Sequence, residues 1–169
     1  LNVKIVASHA GVTVGEDGGS HQSVEDIAVM RVLPHMTVIV PADGVETTQA
    51  IEAVAAHKGP CYVRVGRNKV PTLFGPDYAF KIGKAHVFHE GKDAAIIAAG
   101  IMTAEALKAR DILKAEGIDA GVINMSTIKP LDTGAVLEAA GRCGAIVTAE
   151  EHSIIGGLDG AGQGWRMLM

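Results

Sequence analysis

The chain is poor in the residues that mark many specialised classes of protein. Its 169 residues include only two cysteines, Cys61 and Cys143, both in apolar strand-like segments and without CxxC spacing. That argues against a disulfide framework and a thiolate metal site, and it fits a reducing compartment such as the cytoplasm. There is no excess of cations: 15 basic against 19 acidic residues give a net charge of −4. Nucleic acid and anionic membrane are therefore not expected partners, although a pocket for a small charged metabolite needs only a few local cations. The longest apolar runs, AAIIAAGIM and VIVPA, are far too short to cross a bilayer. Neither GxGxxG nor GxxxxGK[ST] occurs, which removes the usual dinucleotide and P-loop readings.

Aromatics are also scarce, at 4 % of the chain, while glycine and alanine are abundant and valine and isoleucine recur in short blocks. That mixture suits buried parallel strands separated by helices. VKIVAS (3–8) reads as a strand, and a glycine-rich segment follows it. HQSVEDIAVMRVL then carries apolar residues at 24, 27 and 28, at helical spacing, and Pro34 stops it. MTVIV is the next strand. Asp43 is placed to cap the helix GVETTQAIEAVAAH, with Glu46 as its reciprocal partner and Ile51, Val54 and Ala55 as the packing stripe. CYVRV (61–65) is a third strand.

Between Gly66 and Gly83 there are three glycines, Pro71 and Pro76, and no helical period, so this stretch is a crossing loop. Beyond it the pattern restarts with AAIIAA, a helix over 104–116, the strand AGVINM, a short helix near 132–140, and AIVTA. The sequence thus predicts an α/β fold of two three-layer modules with mostly parallel sheets: residues 1–75, a linker over 76–84, and residues 85–169. Both ends are expected to be incomplete. The first strand begins almost at residue 1, and SIIGGLDGAGQGWRMLM, with five glycines, gives no amphipathic closing helix.

Sites in parallel α/β sheets gather at the carboxyl ends of strands. His9 follows the first strand, and Asp17 and His21 sit in GEDGGSHQ just before a helix, where glycines 15, 18 and 19 permit an unusual backbone path. An imidazole can donate a hydrogen bond or move a proton near neutral pH, and a carboxylate can accept from a substrate hydroxyl. The same residues could simply cap and begin the helix. His and Asp occur in pairs but in no metal-ligand spacing. Arg64 and Arg67 stand at the end of the third strand and just past it, and an arginine there suits a phosphate. Arg67, beyond Gly66, is freer to face a pocket, whereas Arg64 is placed to pair with a neighbouring acid.

Taken together, SHAGVTVGEDGGSHQSVEDIAVMRVLPHMTVIVPAD, YVRVGRNKVP, INMSTIKPLD and VTAEEHSIIGGL resemble the transketolase family, covering part of its pyrimidine-binding module and its C-terminal module to about residue 158. GEDGxxHQxxE is the most specific element. The resemblance implies transfer of a two-carbon ketol unit from a ketose phosphate to an aldose phosphate, as in pentose phosphate metabolism, through thiamine diphosphate acting as electron sink. It casts His9 and His21 as substrate-facing histidines with catalytic roles, His21 at the donor hydroxyl or carbonyl. Asp17 becomes the carboxylate that recognises a sugar hydroxyl, and Arg67 the arginine that grips phosphate in the acceptor channel.

It further implies that the glutamate activating the cofactor, the aromatics stacking on it, and the module holding its diphosphate and Mg2+ (or Ca2+) lie outside this chain. No cofactor-binding residue is assigned here, and the isolated chain is expected to be inactive. A partner follows: a second transketolase chain or a separate N-terminal subunit, making a homodimer or a heterotetramer. Glu150, Glu151 and His152 are expected to be structural. Related chemistry by a deoxyxylulose-phosphate synthase or a 2-oxo acid dehydrogenase beta-type subunit stays open at this point, as does a non-catalytic assembly role.

Overall fold

The computed structural model describes residues 1–161. Two four-stranded sheets form, each mostly parallel with one antiparallel edge strand. The first holds β1 (Lys4–Ala7), β2 (Thr37–Ile39), β3 (Cys61–Arg64) and β7 (Thr127–Lys129), in the order β1-β3-β2-β7. The second holds β4 (His86–His89), β5 (Ala94–Ala98), β6 (Ala120–Asn124) and β8 (Ile146–Ala149), in the order β4-β6-β5-β8. The helices are α1 (Asp26–Val32), α2 (Gly44–Ala56), α3 (Met102–Ala115), α4 (Thr133–Arg142) and a short α5 (Leu158–Ala161). The expected α/β class and mostly parallel sheets are what the chain forms.

Two edge strands, β4 and β7, were not legible as such. β7 follows β6 in sequence yet joins the other sheet, pairing antiparallel with β2 through Val38–Lys129 and Ile39–Thr127. The sheets are stitched by backbone bonds from Val40 N to Ser126 O (2.7 Å) and Gly100 N to Val40 O (3.2 Å). Accordingly the largest core cluster mixes Val38, Val40 and Tyr62 of the first sheet with Ile97, Ile123 and Val136 of the second half. Burial of this shared apolar surface is the main force holding the halves together.

Two helices differ from expectation. The segment from His21 is not helical until Asp26, because Gly11 N donates to Ser23 O at 2.8 Å and closes the preceding loop. Ser23 O accepts from Arg64 Nη2 as well, at 3.2 Å, so this carbonyl serves the loop and β3. In α2, Asp43 does cap, accepting from Glu46 N at 2.8 Å, but Glu46 replies to Ala42 N (2.7 Å), one residue earlier than a reciprocal box requires. The buried stripe is Glu46, Ala50 and Val54, while Ile51 is 37 % exposed and Ala55 faces solvent. Of the expected 51/54/55 stripe only Val54 is buried, on the same face as the internally bonded Glu46 carboxylate. The crossing loop is fastened along α2: Asp43 Oδ2 accepts from Leu73 N and Phe74 N, and Gln49 bonds Tyr78 O and Phe80 N. Of SIIGGLDGAGQGWRMLM, expected to give no closing helix, Leu158–Ala161 forms the short α5, and residues 162–169 lie outside the described residues.

Candidate active site

The candidate residues lie on the loop from the carboxyl end of β1 to α1. Its path needs glycine: Gly11, Gly15 and Gly18 have φ of 94°, 65° and 71°, in the left-handed region. His9 also has a positive φ, 68°, a conformation that costs a non-glycine residue about 1 kcal/mol or more and persists where its surroundings enforce it. Two short 3-10 turns, Gly15–Asp17 and Gly19–His21, carry the acid and the second histidine. His21 therefore stands ahead of α1, not in its first turn.

Three of the four candidates meet. Asp17 Oδ2 lies 3.0 Å from Arg67 Nε and 3.9 Å from His9 Nε2. That oxygen is buried without an aligned hydrogen bond among the described residues, so the approach of Arg67 is an ion contact only. The side chains of His9, Asp17 and Arg67 remain 46 %, 31 % and 32 % exposed, which leaves the cluster open to a ligand. Arg67 also donates to Val14 O at 2.7 Å, and Asn68 to Thr13 O at 2.6 Å, so the β3 end props the loop. His21 is exposed and bonded to its neighbour Ser20 at 3.1 Å, with no bond to the other three.

Arg64 behaves as a structural arginine. It is buried, pairs with Asp26 through Nε at 2.8 Å, and donates to Ser23 O (3.2 Å) and Glu151 O (2.9 Å). Asp26 also accepts from Tyr62 OH at 2.6 Å. Burial first, and then the Asp26 contact, pushes the Tyr62 phenol well above its ordinary range. Sequence reasoning placed Arg64 beside an acid without identifying Asp26, and it missed how Glu151 meets the loop. A charged residue inside the apolar string YVRV, with an acid opening the next helix, was the available signal.

A cavity of about 520 Å³ lies beside the loop, lined among others by Thr13, Arg64, Asn68, Gly100, Ile101 and Glu151. None of the four candidates lines it, so their cluster is an open surface and not the wall of this cavity. Among the described residues, no three His, Cys, Asp or Glu side chains are grouped to hold a metal ion. No helix among them is long and apolar enough to cross a membrane.

These observations define an α/β protein with a polar cluster at the carboxyl end of one sheet and a second sheet packed against the first. Residues 1–72 match the family model described as transketolase, pyrimidine binding domain, and residues 83–161 that of transketolase, C-terminal domain. A putative transketolase C-terminal section from Methanocaldococcus jannaschii is 48 % identical over 95 % of this chain and 51 % of the relative. A 6-deoxy-6-sulfo-D-fructose transketolase subunit from a Clostridium species is 45 % identical over 95 % of this chain and 50 % of its own length. A solved structure described as a split-gene transketolase, inactive beta4 tetramer, superposes with TM-score 0.91 at 50 % identity, covering 99 % of this chain and 55 % of that one. The chain belongs to the transketolase family. It spans about half the length of the curated relatives cited.

Proposed function

We propose that this chain supplies the substrate-facing part of a ketol-transferring enzyme. In this reading residues 1–75 are a partial pyrimidine-binding module, 76–84 a linker and 85–169 the C-terminal module. The observation that carries it is Asp17 Oδ2 set between Arg67 Nε at 3.0 Å and His9 Nε2 at 3.9 Å on an accessible loop. A carboxylate held by a cation and next to an imidazole can accept from a sugar hydroxyl, while the imidazole donates to a neighbouring oxygen. Arg67, still a third exposed, has donors left for a phosphate once substrate arrives. His21, outside the cluster, is assigned to the donor carbonyl region that a partner would close over.

The residues present do not fit thiamine diphosphate on this chain alone. The buried carboxylates Asp43, Glu46, Asp132 and Glu151 and the partly buried Asp26 are already engaged in internal hydrogen bonds. The stacked aromatics Phe74 and Tyr78 belong to the crossing loop, in a cluster with His86 and Phe88 of β4. The cofactor and its Mg2+ (or Ca2+) are therefore assigned to a site completed by a second transketolase chain or a separate N-terminal subunit, in a cytoplasmic homodimer or heterotetramer. Exposed Ile5 and Val6 on the edge strand β1 support a missing neighbour, since such an edge is a ready pairing surface. The relative described as an inactive beta4 tetramer supports inactivity of the chain by itself. Its relatives' substrates include a sulfonated ketose, so the anionic group gripped by Arg67 need not be phosphate.

The test is a two-carbon transfer assay with ketose and aldose phosphates, using the purified chain with and without a candidate N-terminal subunit. Transfer only by the mixture supports the reading. Transfer by the highly purified chain alone, or none by an assembled and cofactor-loaded mixture, refutes it.

A further inference from the structure

Three successive residues of the second half reach across to the loop and helix of the first. Glu151 Oε1 accepts from Thr13 N at 3.0 Å, His152 Nε2 accepts from Ala28 N at 3.3 Å, and Ser153 N donates to Val24 O at 2.8 Å. The His152 ring is fixed in one tautomer, since Nδ1 faces the carbonyl of Ser153 at 2.7 Å and must donate there. Ala28 N is one of the orphan donors of the first turn of α1, whose N-cap Glu25 gives no side-chain bond. The segment 151–153 thus does for α1 and the loop what local sequence does not.

Glu151 is the most committed of the three, at 7 % exposure. A Cβ on Gly11 would stand 2.6 Å from its Oε2, so the loop approaches this carboxylate closely only because residue 11 is glycine. Thr13 lies midway between His9, with its strained backbone, and Asp17. Arg67 and Asn68 hold the loop from β3, bonding Val14 O and Thr13 O, and Glu151 holds it from the second module through Thr13 N. Thr13 is therefore gripped at both its donor and its acceptor.

We propose that Glu151 is a positioning residue: through Thr13 it fixes the loop carrying His9 and Asp17, so that the C-terminal module sets the geometry in which substrate is met. The kinetic consequence rests on the proposed function, whereas the structural one does not. A charge-assisted hydrogen bond to a backbone N–H orders the atoms on either side of it, and misplacing a substrate-holding group by an ångström costs rate.

The test pairs hydrogen exchange on the full chain with kinetics of the complex formed with the N-terminal subunit. In Glu151→Ala, amides 11–17 should exchange about ten- to a hundredfold faster while α3 and β6 keep their protection. Glu151→Gln, which can still accept from Thr13 N, should restore protection. In the complex, Glu151→Ala should lower kcat by about the same factor at saturating substrate, with Gln again rescuing it. If Glu151→Ala does not fold, Glu151→Asp, shorter by one methylene, is read by the same criteria. Unchanged exchange at 11–17, a uniform rise across the chain, or no rescue by Gln would overturn the proposal. A wild-type complex without transfer activity would refute the proposed function instead, and the exchange result would still decide the positioning role.

Discussion

Glu46 and Asn124, 78 residues apart, are joined by two hydrogen bonds, from Asn124 Nδ2 to Oε1 at 2.8 Å and to Oε2 at 3.1 Å. The same carboxylate accepts from Ala42 N and Tyr78 OH, and Asn124 Oδ1 accepts from Thr103 Oγ1. One fully buried acid thereby ties α2, the crossing loop and the second sheet together. Glu46→Ala leaves several buried donors unpaired and should destabilise the chain by about 3–5 kcal/mol, with Glu46→Gln costing less. Urea unfolding of both variants, and a double-mutant cycle with Asn124→Ala giving a coupling of about 1–3 kcal/mol, checks this.

Acid should loosen the same junction through His86, which packs against Phe74, Tyr78 and Phe88. Burial lowers its basicity below the ordinary 6.5, partly offset by the charge of Glu46. With the folded value depressed, the unfolded chain binds the extra proton first. The contribution of neutral His86 is therefore complete above pH 6.5 and is lost as pH falls from there to the lowered value. His86→Phe should flatten stability against pH in that window. Glu150, raised above 4.5 by burial, acts in the opposite sense at lower pH, so the variant and not the raw profile carries the test.

The two arginines of YVRVGR should separate cleanly. Arg64→Ala empties a buried position and takes the cation from the partly buried Asp26, and should cost about 3–5 kcal/mol, a fall of about 10 °C in Tm. Arg67→Ala removes a pair about a third exposed and should cost about 1 kcal/mol or less. Thermal melts of both variants decide it, and equal effects would mean that the assignment of buried and accessible roles is wrong.

The strand and helix pattern was legible because apolar blocks of four to six residues alternate with helical periods, as in AAIIA and MTAEALKARDILKA. The edge strands HVFH and TIK were not, because their pairing is fixed by distant partners: β4 by β6 and β7 by β2. His9 and Arg67 were legible as residues near strand ends, and Asp17 was expected to share a cavity with His21; the structure instead brings Asp17 to His9 and Arg67 and leaves His21 apart. Asp26, Glu46 and Glu151 read as ordinary helix or surface acids, because burial of a carboxylate depends on donors supplied from far along the chain.

In the complete enzyme His21→Ala should reduce turnover more than cofactor affinity, since its assigned contacts are to substrate. Arg67→Ala should raise KM about tenfold or more for phosphorylated or sulfonated sugars and much less for neutral ones. Steady-state kinetics on paired charged and uncharged substrates checks both, and wild-type behaviour in either variant would displace that residue from the channel.

On the proposed function the reaction centre is shared and this chain holds only its substrate-facing part. Calorimetric titration of thiamine diphosphate with Mg2+, first into the chain alone and then into its mixture with a candidate N-terminal subunit, tests that sharing directly. No binding to the chain and saturable binding to the mixture are expected. Binding by the chain alone, or none by a mixture shown to have assembled, would contradict it.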